Sequence, residues 1–181
     1  SREDILRDLR RRLEELLRRH KRISDELRKR NKKLLDDAEK RAKELREELE
    51  KLVREAERRG LPEEELKRLK EIADEVKKRL DELVKELRRD NERLDKTLDD
   101  LNREVEELVR RVEDELRRAA ERGEEIEELV KRVDKLIKEL KRKSEEVMKR
   151  VDELIRRNER LIREIVKEVE KLLEDLEREV R

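Results

Sequence analysis

The sequence predicts an all-α protein, an antiparallel up-down-up three-helix bundle of long, nearly straight, coiled-coil-like helices. Three observations predict it: apolar residues recur with a helical period, two glycine boundaries divide the chain into three nearly equal segments, and 61% of the residues are charged. Equal helices joined by short turns must alternate in direction. We therefore expect one domain over residues 1–181, with helices at about 2–59, 62–122 and 124–181.

The first predicted helix carries an apolar stripe with a step of about 3.6 residues, the period of an α-helix. The stripe runs through Leu6, Leu9, Leu13, Leu16, His20, Ile23, Leu27, Asn31, Leu34, Ala38, Ala42, Leu45, Leu49, Leu52 and Ala56. Apolar neighbours widen it to roughly 120°, as expected of a helix that packs against two others. The charged residues outside this arc are expected to form a solvated surface.

Two boundaries separate the helices. Gly60 suits the left-handed position that ends a helix, and Pro62 suits the first turn of the next. The three glutamates that follow Pro62 complement the N-terminal dipole of the second helix. Gly123, followed by Glu124 and Glu125, repeats the pattern of a glycine stop and an acidic start.

The second and third predicted helices have stripes of the same kind, with steps of about 3.5 to 3.6 residues that imply nearly straight helices. The second stripe is Leu66, Leu69, Ala73, Val76, Leu80, Leu83, Leu87, Asn91, Leu94, Leu98, Leu101, Val105, Leu108, Val112, Leu116 and Ala119. The third is Ile126, Leu129, Val133, Ile137, Leu140, Ser144, Val147, Val151, Leu154, Asn158, Leu161, Ile165, Val169, Leu172, Leu176 and Val180.

Polar residues interrupt these stripes or lie at their edges, and the up-down-up arrangement brings them to two levels. We expect two buried hydrogen-bond networks. The first comprises Asn31, Asn91 and Asn158, and the second comprises His20, Ser24, Thr97, Asn102 and Ser144. A shifted or wrongly paired helix would leave these groups facing leucine, at a cost of about 1–3 kcal/mol for each unpaired group. The alternative is unconnected polar residues, each satisfied by water or backbone.

His20, the single histidine, is expected to be a neutral member of its network, because a neutral imidazole donates and accepts at once. A pH-dependent switch is the alternative, since charging a buried imidazole costs desolvation. We expect no metal site, because the chain has no second histidine and no cysteine.

The composition argues against several functions. The net charge of +1 and the absence of aromatic residues argue against nucleic-acid binding, and no apolar run approaches the length that spans a membrane. We expect no cofactor, no small-molecule ligand and no enzymatic activity, because the pattern provides neither a pocket nor an oxyanion hole. An enzyme built on the His20 level would hydrolyse an activated ester in a reaction that His20→Ala abolishes. No signal-peptide segment is recognised, and the compartment stays open.

The whole chain resembles computationally designed helical bundles with buried hydrogen-bond networks. The resemblance lies in the Gly60-Leu61-Pro62 turn, the aliphatic core, the polar levels and the surface rich in Glu, Lys and Arg. It implies no natural function, and a role as a scaffold or as a component of an assembly. Spectrin-like repeats are the natural alternative, but they usually carry core aromatics, which this chain lacks.

We favour a self-contained monomer whose polar levels fix helix register and pairing. The alternative is a subunit that associates with itself or with a partner helix or chain. The positions that would form such an interface, if they were exposed together, are Leu17, Leu35, Val53, Val130, Met148 and Val166.

Overall fold

The computed structural model describes residues 1–123 and 125–180, which form three α-helices. These are α1 (Arg2–Arg58), α2 (Glu63–Arg122) and α3 (Ile126–Val180). The expected all-α three-helix bundle is confirmed. The bounds of α1 and α2 lie within one residue of the predicted ones. The predicted ends of the third helix, Glu124 and Arg181, lie outside the described residues.

The described residues divide into two compact units, each built from one segment of every helix. The first unit comprises Ser1–Lys29 and Arg93–Glu153, and the second comprises Arg30–Glu92 and Leu154–Arg181. Each unit has its own buried residues and its own polar cluster. The expected single domain over residues 1–181 stays a prediction.

Ion pairs between helices give the helix directions within each unit. In the second unit, α1 and α2 are joined by Glu39–Arg88, Arg46–Asp81, Glu50–Lys77 and Glu57–Lys70, and α1 and α3 by Arg30–Glu159 and Arg41–Glu170. Partners on α2 fall in number as those on α1 rise, whereas partners on α3 rise with them. The first unit repeats this order: α1 contacts α2 at Arg2–Ala119 and Arg28–Asp99, and it contacts α3 at Arg12–Asp134 and His20–Ser144. Within each unit α1 is therefore antiparallel to α2 and parallel to α3.

The turn after α1 is a Schellman motif, which explains the residues found there. Gly60 has a φ of +72°, a conformation that glycine adopts without strain. Its N–H donates to Glu57 O at 3.1 Å, and the N–H of Leu61 donates to Ala56 O at 3.3 Å. Pro62 then precedes α2, and its carbonyl accepts the N–H of Leu66 at 2.9 Å. This sequence of glycine, apolar residue and proline stops one helix and starts the next.

The apolar stripes form the interior of each unit. In the second unit, Leu45, Leu49 and Ala56 of α1 are fully buried and belong to one cluster with Leu80 of α2 and Leu173 of α3. In the first unit, the fully buried aliphatic residues include Leu94, Leu98, Val112, Leu116, Leu129 and Val133. Burial of this aliphatic surface is the main favourable term in folding such a chain.

The predicted core is wrong in detail at a few positions of α3, where the neighbour of the predicted residue is the one that is buried. Met148 is buried, whereas Val147 in the predicted stripe is only half-buried. Likewise Ile155 is fully buried and Leu154 is half-buried. The sequence offers apolar residues at both positions of each pair, so the periodic pattern alone does not decide which of them faces the core.

Candidate functional site

The first polar cluster lies in the first unit and joins all three helices through His20. His20 of α1 is 6% exposed. Its Nδ1 lies 2.7 Å from Ser144 Oγ on α3, and its Nε2 lies 2.8 Å from Asn102 Oδ1 on α2. Both partners are half-buried. One imidazole therefore connects α1 to both neighbouring helices at a single level.

The partners determine which ring nitrogen carries the hydrogen. A carbonyl oxygen such as Asn102 Oδ1 only accepts hydrogen bonds, so Nε2–H donates to it. In the neutral tautomer with hydrogen on Nε2, Nδ1 is the acceptor and the Ser144 hydroxyl donates to it. In this arrangement a neutral imidazole uses both of its nitrogens, which offsets the cost of burying it.

Ser24 does not join this cluster, contrary to the prediction. Its side chain is 1% exposed, and Oγ has no hydrogen-bond partner among the described residues. The physical reason is that Ser144 and Asn102 already occupy both ring nitrogens of His20, one helical turn earlier. The Ser24 hydroxyl is thus buried but makes no hydrogen bond to the His20 cluster, to which it was assigned from the sequence.

Thr97 is also placed differently from the prediction. Its side chain is exposed, and Oγ1 donates to Arg93 O at 2.9 Å, four residues earlier in α2. Threonine hydroxyls commonly bond to the carbonyl of the preceding helical turn in this way. The next residue, Leu98, is fully buried. Because successive helical side chains differ in direction by about 100°, Thr97 points away from the interior.

The second polar cluster lies in the second unit and joins α1 to α2. Asn31 is 4% exposed, and its Nδ2 donates to Asn91 Oδ1 at 2.6 Å. Asn158 of α3 is buried to the same extent, but no hydrogen bond among the described residues connects it to either amide. The predicted three-membered cluster is therefore a pair, in which the Asn31 donor and the Asn91 acceptor already satisfy each other.

The Asn31–Asn91 pair leads to a mutational prediction. Asn91→Leu should lower the free energy of unfolding by about 1–3 kcal/mol, because it leaves the buried Asn31 amide without its acceptor. Asn31→Leu combined with Asn91→Leu should recover most of this loss, since neither partner is then orphaned. Denaturant unfolding of the wild type, the two single variants and the double variant gives the coupling energy. A coupling energy of zero would contradict the account.

The half-buried Ser144 and the buried Ser24 are expected to respond oppositely to replacement by alanine. Ser144→Ala should lower the free energy of unfolding by about 1 kcal/mol, because His20 Nδ1 loses its donor. Ser24→Ala removes a buried hydroxyl that bonds to no described residue and should leave stability unchanged or raise it by up to about 1 kcal/mol. Denaturant midpoints compare them directly. Equal losses in the two variants would show that hydroxyl burial alone matters.

Ion pairs between helices, which were not predicted from the sequence, lie beside these clusters. The charged residues were expected to form a solvated surface, but Arg28 pairs with Asp99 on α2 in the first unit, and Arg30 pairs with Glu159 on α3 at 3.0 Å in the second. Complementary charges beside an apolar stripe are the usual signal for such interhelical pairs. Because these pairs are partly exposed, their contribution to stability is small.

The apolar positions predicted as an interface are partly or fully covered, and the interface stays a prediction. Leu17, Leu35, Val53, Val130 and Val166 are half-buried and Met148 is buried. Among the described residues, Ile5 alone of the large hydrophobic side chains is exposed, at 40%.

Over residues 1–123 and 125–180, no group of three or more His, Cys, Asp or Glu side chains is arranged to hold a metal ion. No described helix is long and apolar enough to cross a membrane. Comparison with known proteins found no matching family model, no matching curated protein and no matching solved structure.

Proposed function

We propose that the chain is a structural scaffold of the computationally designed kind, in which the polar clusters select one arrangement of the three helices. The apolar stripes supply most of the stabilisation, but leucine packs against leucine in many arrangements. Hydrogen bonds are directional, so a polar cluster keeps its bonds in only a few of these arrangements. Polar clusters inside an aliphatic bundle therefore select among alternatives that hydrophobic burial leaves close in energy.

The observation that carries this proposal is the pair of hydrogen bonds made by His20. Its two ring nitrogens contact α2 and α3 at 2.8 and 2.7 Å. Moving either helix by one turn, about 5.4 Å, would separate a ring nitrogen from its partner. Each orphaned buried group would then cost about 1–3 kcal/mol. His20 thereby penalises displacement of two helices at once.

The termini and turns support a designed origin, because local and global signals agree there. Each helix has acidic residues in its first turn and a basic residue in its last. The side chains of Arg2 and Arg59 donate to the carbonyls of Ala119 and Val180, near the C-terminal ends of α2 and α3. Agreement of capping, patterning and surface charge is the hallmark of an idealised sequence.

A hydrolase is the alternative that the same residues suggest. Ser144, His20 and Asn102 are connected in the order of a nucleophile, a base and a residue that orients the base. Ser144 lies in the middle of α3, however, where backbone N–H groups are engaged in helical hydrogen bonds and offer no oxyanion hole. We expect the wild type and His20→Ala to hydrolyse p-nitrophenyl acetate at equal rates. Hydrolysis that requires His20 would favour the enzyme.

The scaffold proposal is tested by replacing the first cluster with apolar residues, as His20→Leu, Asn102→Leu and Ser144→Ala together. The variant should resist denaturant at least as well as the wild type, but should show several sets of backbone amide resonances or a mass that rises with concentration. The wild type should show one set and a constant mass of 22.4 kDa. Ser24→Ala is the matched control and should behave as the wild type. A triple variant with one resonance set and the wild-type mass would refute the proposal.

A further inference from the structure

We propose that a groove between α1 and α3 in the second unit binds an acidic amphipathic helix of another chain. This α1–α3 groove has an apolar floor formed by Leu34 and Ala38 of α1 with Ile162 and Val166 of α3. Its volume is about 550 Å³. The floor residues are four apart on each helix, so they form two short parallel ridges, the surface into which the side chains of a further helix pack.

The boundary between α1 and α2 in this unit is bridged by more ion pairs than the boundary between α1 and α3, although it too has a surface depression, which Ala42 and Val84 help to line. Between α1 and α2, four ion pairs cross the boundary at about one-turn to two-turn intervals. Between α1 and α3, ion pairs cross at Arg30–Glu159 and Arg41–Glu170. Over the described residues between these two crossings, none bridges the groove. Ten residues of α1 lie between the two crossings, which are about 16 Å apart along the helix, a length that accommodates roughly three turns of a partner.

The charge around the groove favours an acidic partner. Arg160, Arg163 and Lys167 follow one another along the α3 rim, and no described carboxylate lies within ion-pair distance of them. Arg41, at the end of the groove, is engaged differently: its hydrogen bond to Glu170 raises the pKa of Arg41 above its ordinary value. The charged residues that line the α1–α3 groove comprise four basic and two acidic ones, whereas those that line the α1–α2 depression near Ala42 and Val84 comprise four of each.

These features select one kind of occupant. An apolar floor of this length fits the apolar face of a helix with Leu, Ile or Val at positions i, i+3 or i+4, and i+7. The basic α3 rim requires Glu or Asp along one edge of that helix. Nucleic acid fits poorly, because phosphates gain nothing from an aliphatic floor and the chain has no aromatic side chain on which bases stack. A second copy placed groove to groove would bring two positive rims together.

Binding is tested with the full chain and a fluorescent amphipathic peptide of about 18 residues that has leucines on one face and glutamates along one edge. Anisotropy should rise on titration, and binding should weaken as salt is added, because the rim contacts are exposed. A peptide with the same leucines, and lysine in place of each glutamate, should not bind. Arg160→Glu combined with Lys167→Glu should weaken binding of the acidic peptide by at least about tenfold.

The first unit supplies a matched control. A surface depression on α3 there is lined by four basic and two acidic residues, the same excess, but by no apolar residue. Lys135→Glu combined with Lys138→Glu changes this surface by the same charge and should leave peptide binding unchanged. Equal weakening by both double variants would overturn the proposal, since charge alone would then explain binding. The proposal would also be overturned if the peptide did not bind, or if an oligonucleotide displaced it. A doubling of the chain's own mass that Arg160→Glu combined with Lys167→Glu abolishes would overturn it as well.

Discussion

Replacing Leu49 with alanine is expected to lower the free energy of unfolding by about 2–5 kcal/mol, the largest effect of any substitution considered. Leu49 is 0% exposed and lies in the aliphatic cluster of the second unit, beside Leu45 of the same helix and with residues from α2 and α3. Truncation removes about three methylene-sized groups from this cluster and leaves a cavity that regular helices do not readily close.

The matched control is Leu35→Ala in the same helix and the same unit. Leu35 is half-buried, so part of its side chain is already in water and the loss should be about 1 kcal/mol. Guanidinium unfolding followed by helical circular dichroism measures both variants. If the two denaturant midpoints fall by the same amount, the cluster around Leu49 is not the tightly packed core described above.

His20→Ala has the second largest expected effect, a loss of about 2–4 kcal/mol in the free energy of unfolding. The substitution creates a cavity at a site that is 6% exposed and removes both hydrogen bonds that link α1 to α2 and α3. Asn102 and Ser144 are half-buried, so water reaches them in part and limits the penalty for leaving them unpaired.

Thr97→Ala serves as the control for His20→Ala, because its hydroxyl is exposed and bonds only to its own helix backbone. Its stability should change by less than about 0.5 kcal/mol. Thermal and denaturant unfolding of both variants at one pH provide the comparison. The account is contradicted if His20→Ala is no less stable than Thr97→Ala, since the cluster would then contribute nothing measurable.

The helices and the first turn could be predicted from the sequence because their signals are local. A glycine with φ of +72°, an apolar residue and a proline occur together at residues 60–62, and each favours the geometry that is found. The level of the His20 cluster was also predictable, because helix rise is constant and the turns are short. Because the rise per residue is constant, the turns fix which residues lie at the same height on neighbouring helices, even about 40 residues away from the turn.

Side-chain direction at the edges of the stripes was harder to predict. Thr97 and Ser24 were both assigned to one cluster, yet Thr97 is exposed and Ser24 is buried without a described partner. Neighbouring helical positions differ by about 100° in direction, and a modest rotation of the helix moves an edge residue inward or outward. On α3, Met148 and Ile155 face inward for the same reason. The packing of the three helices determines this rotation. It cannot be predicted from the spacing of apolar residues along a single helix.

The most direct test of the account is ¹⁵N NMR of His20, the single histidine, labelled selectively in the wild-type chain. We expect hydrogen on Nε2, an observable Nε2–H proton that exchanges slowly with water, and one set of ring signals. These follow from donation to Asn102 Oδ1 at 2.8 Å and acceptance from Ser144 at 2.7 Å. Ring signals averaged between two tautomers, with rapid proton exchange as in free imidazole, would contradict the claim that His20 joins the three helices.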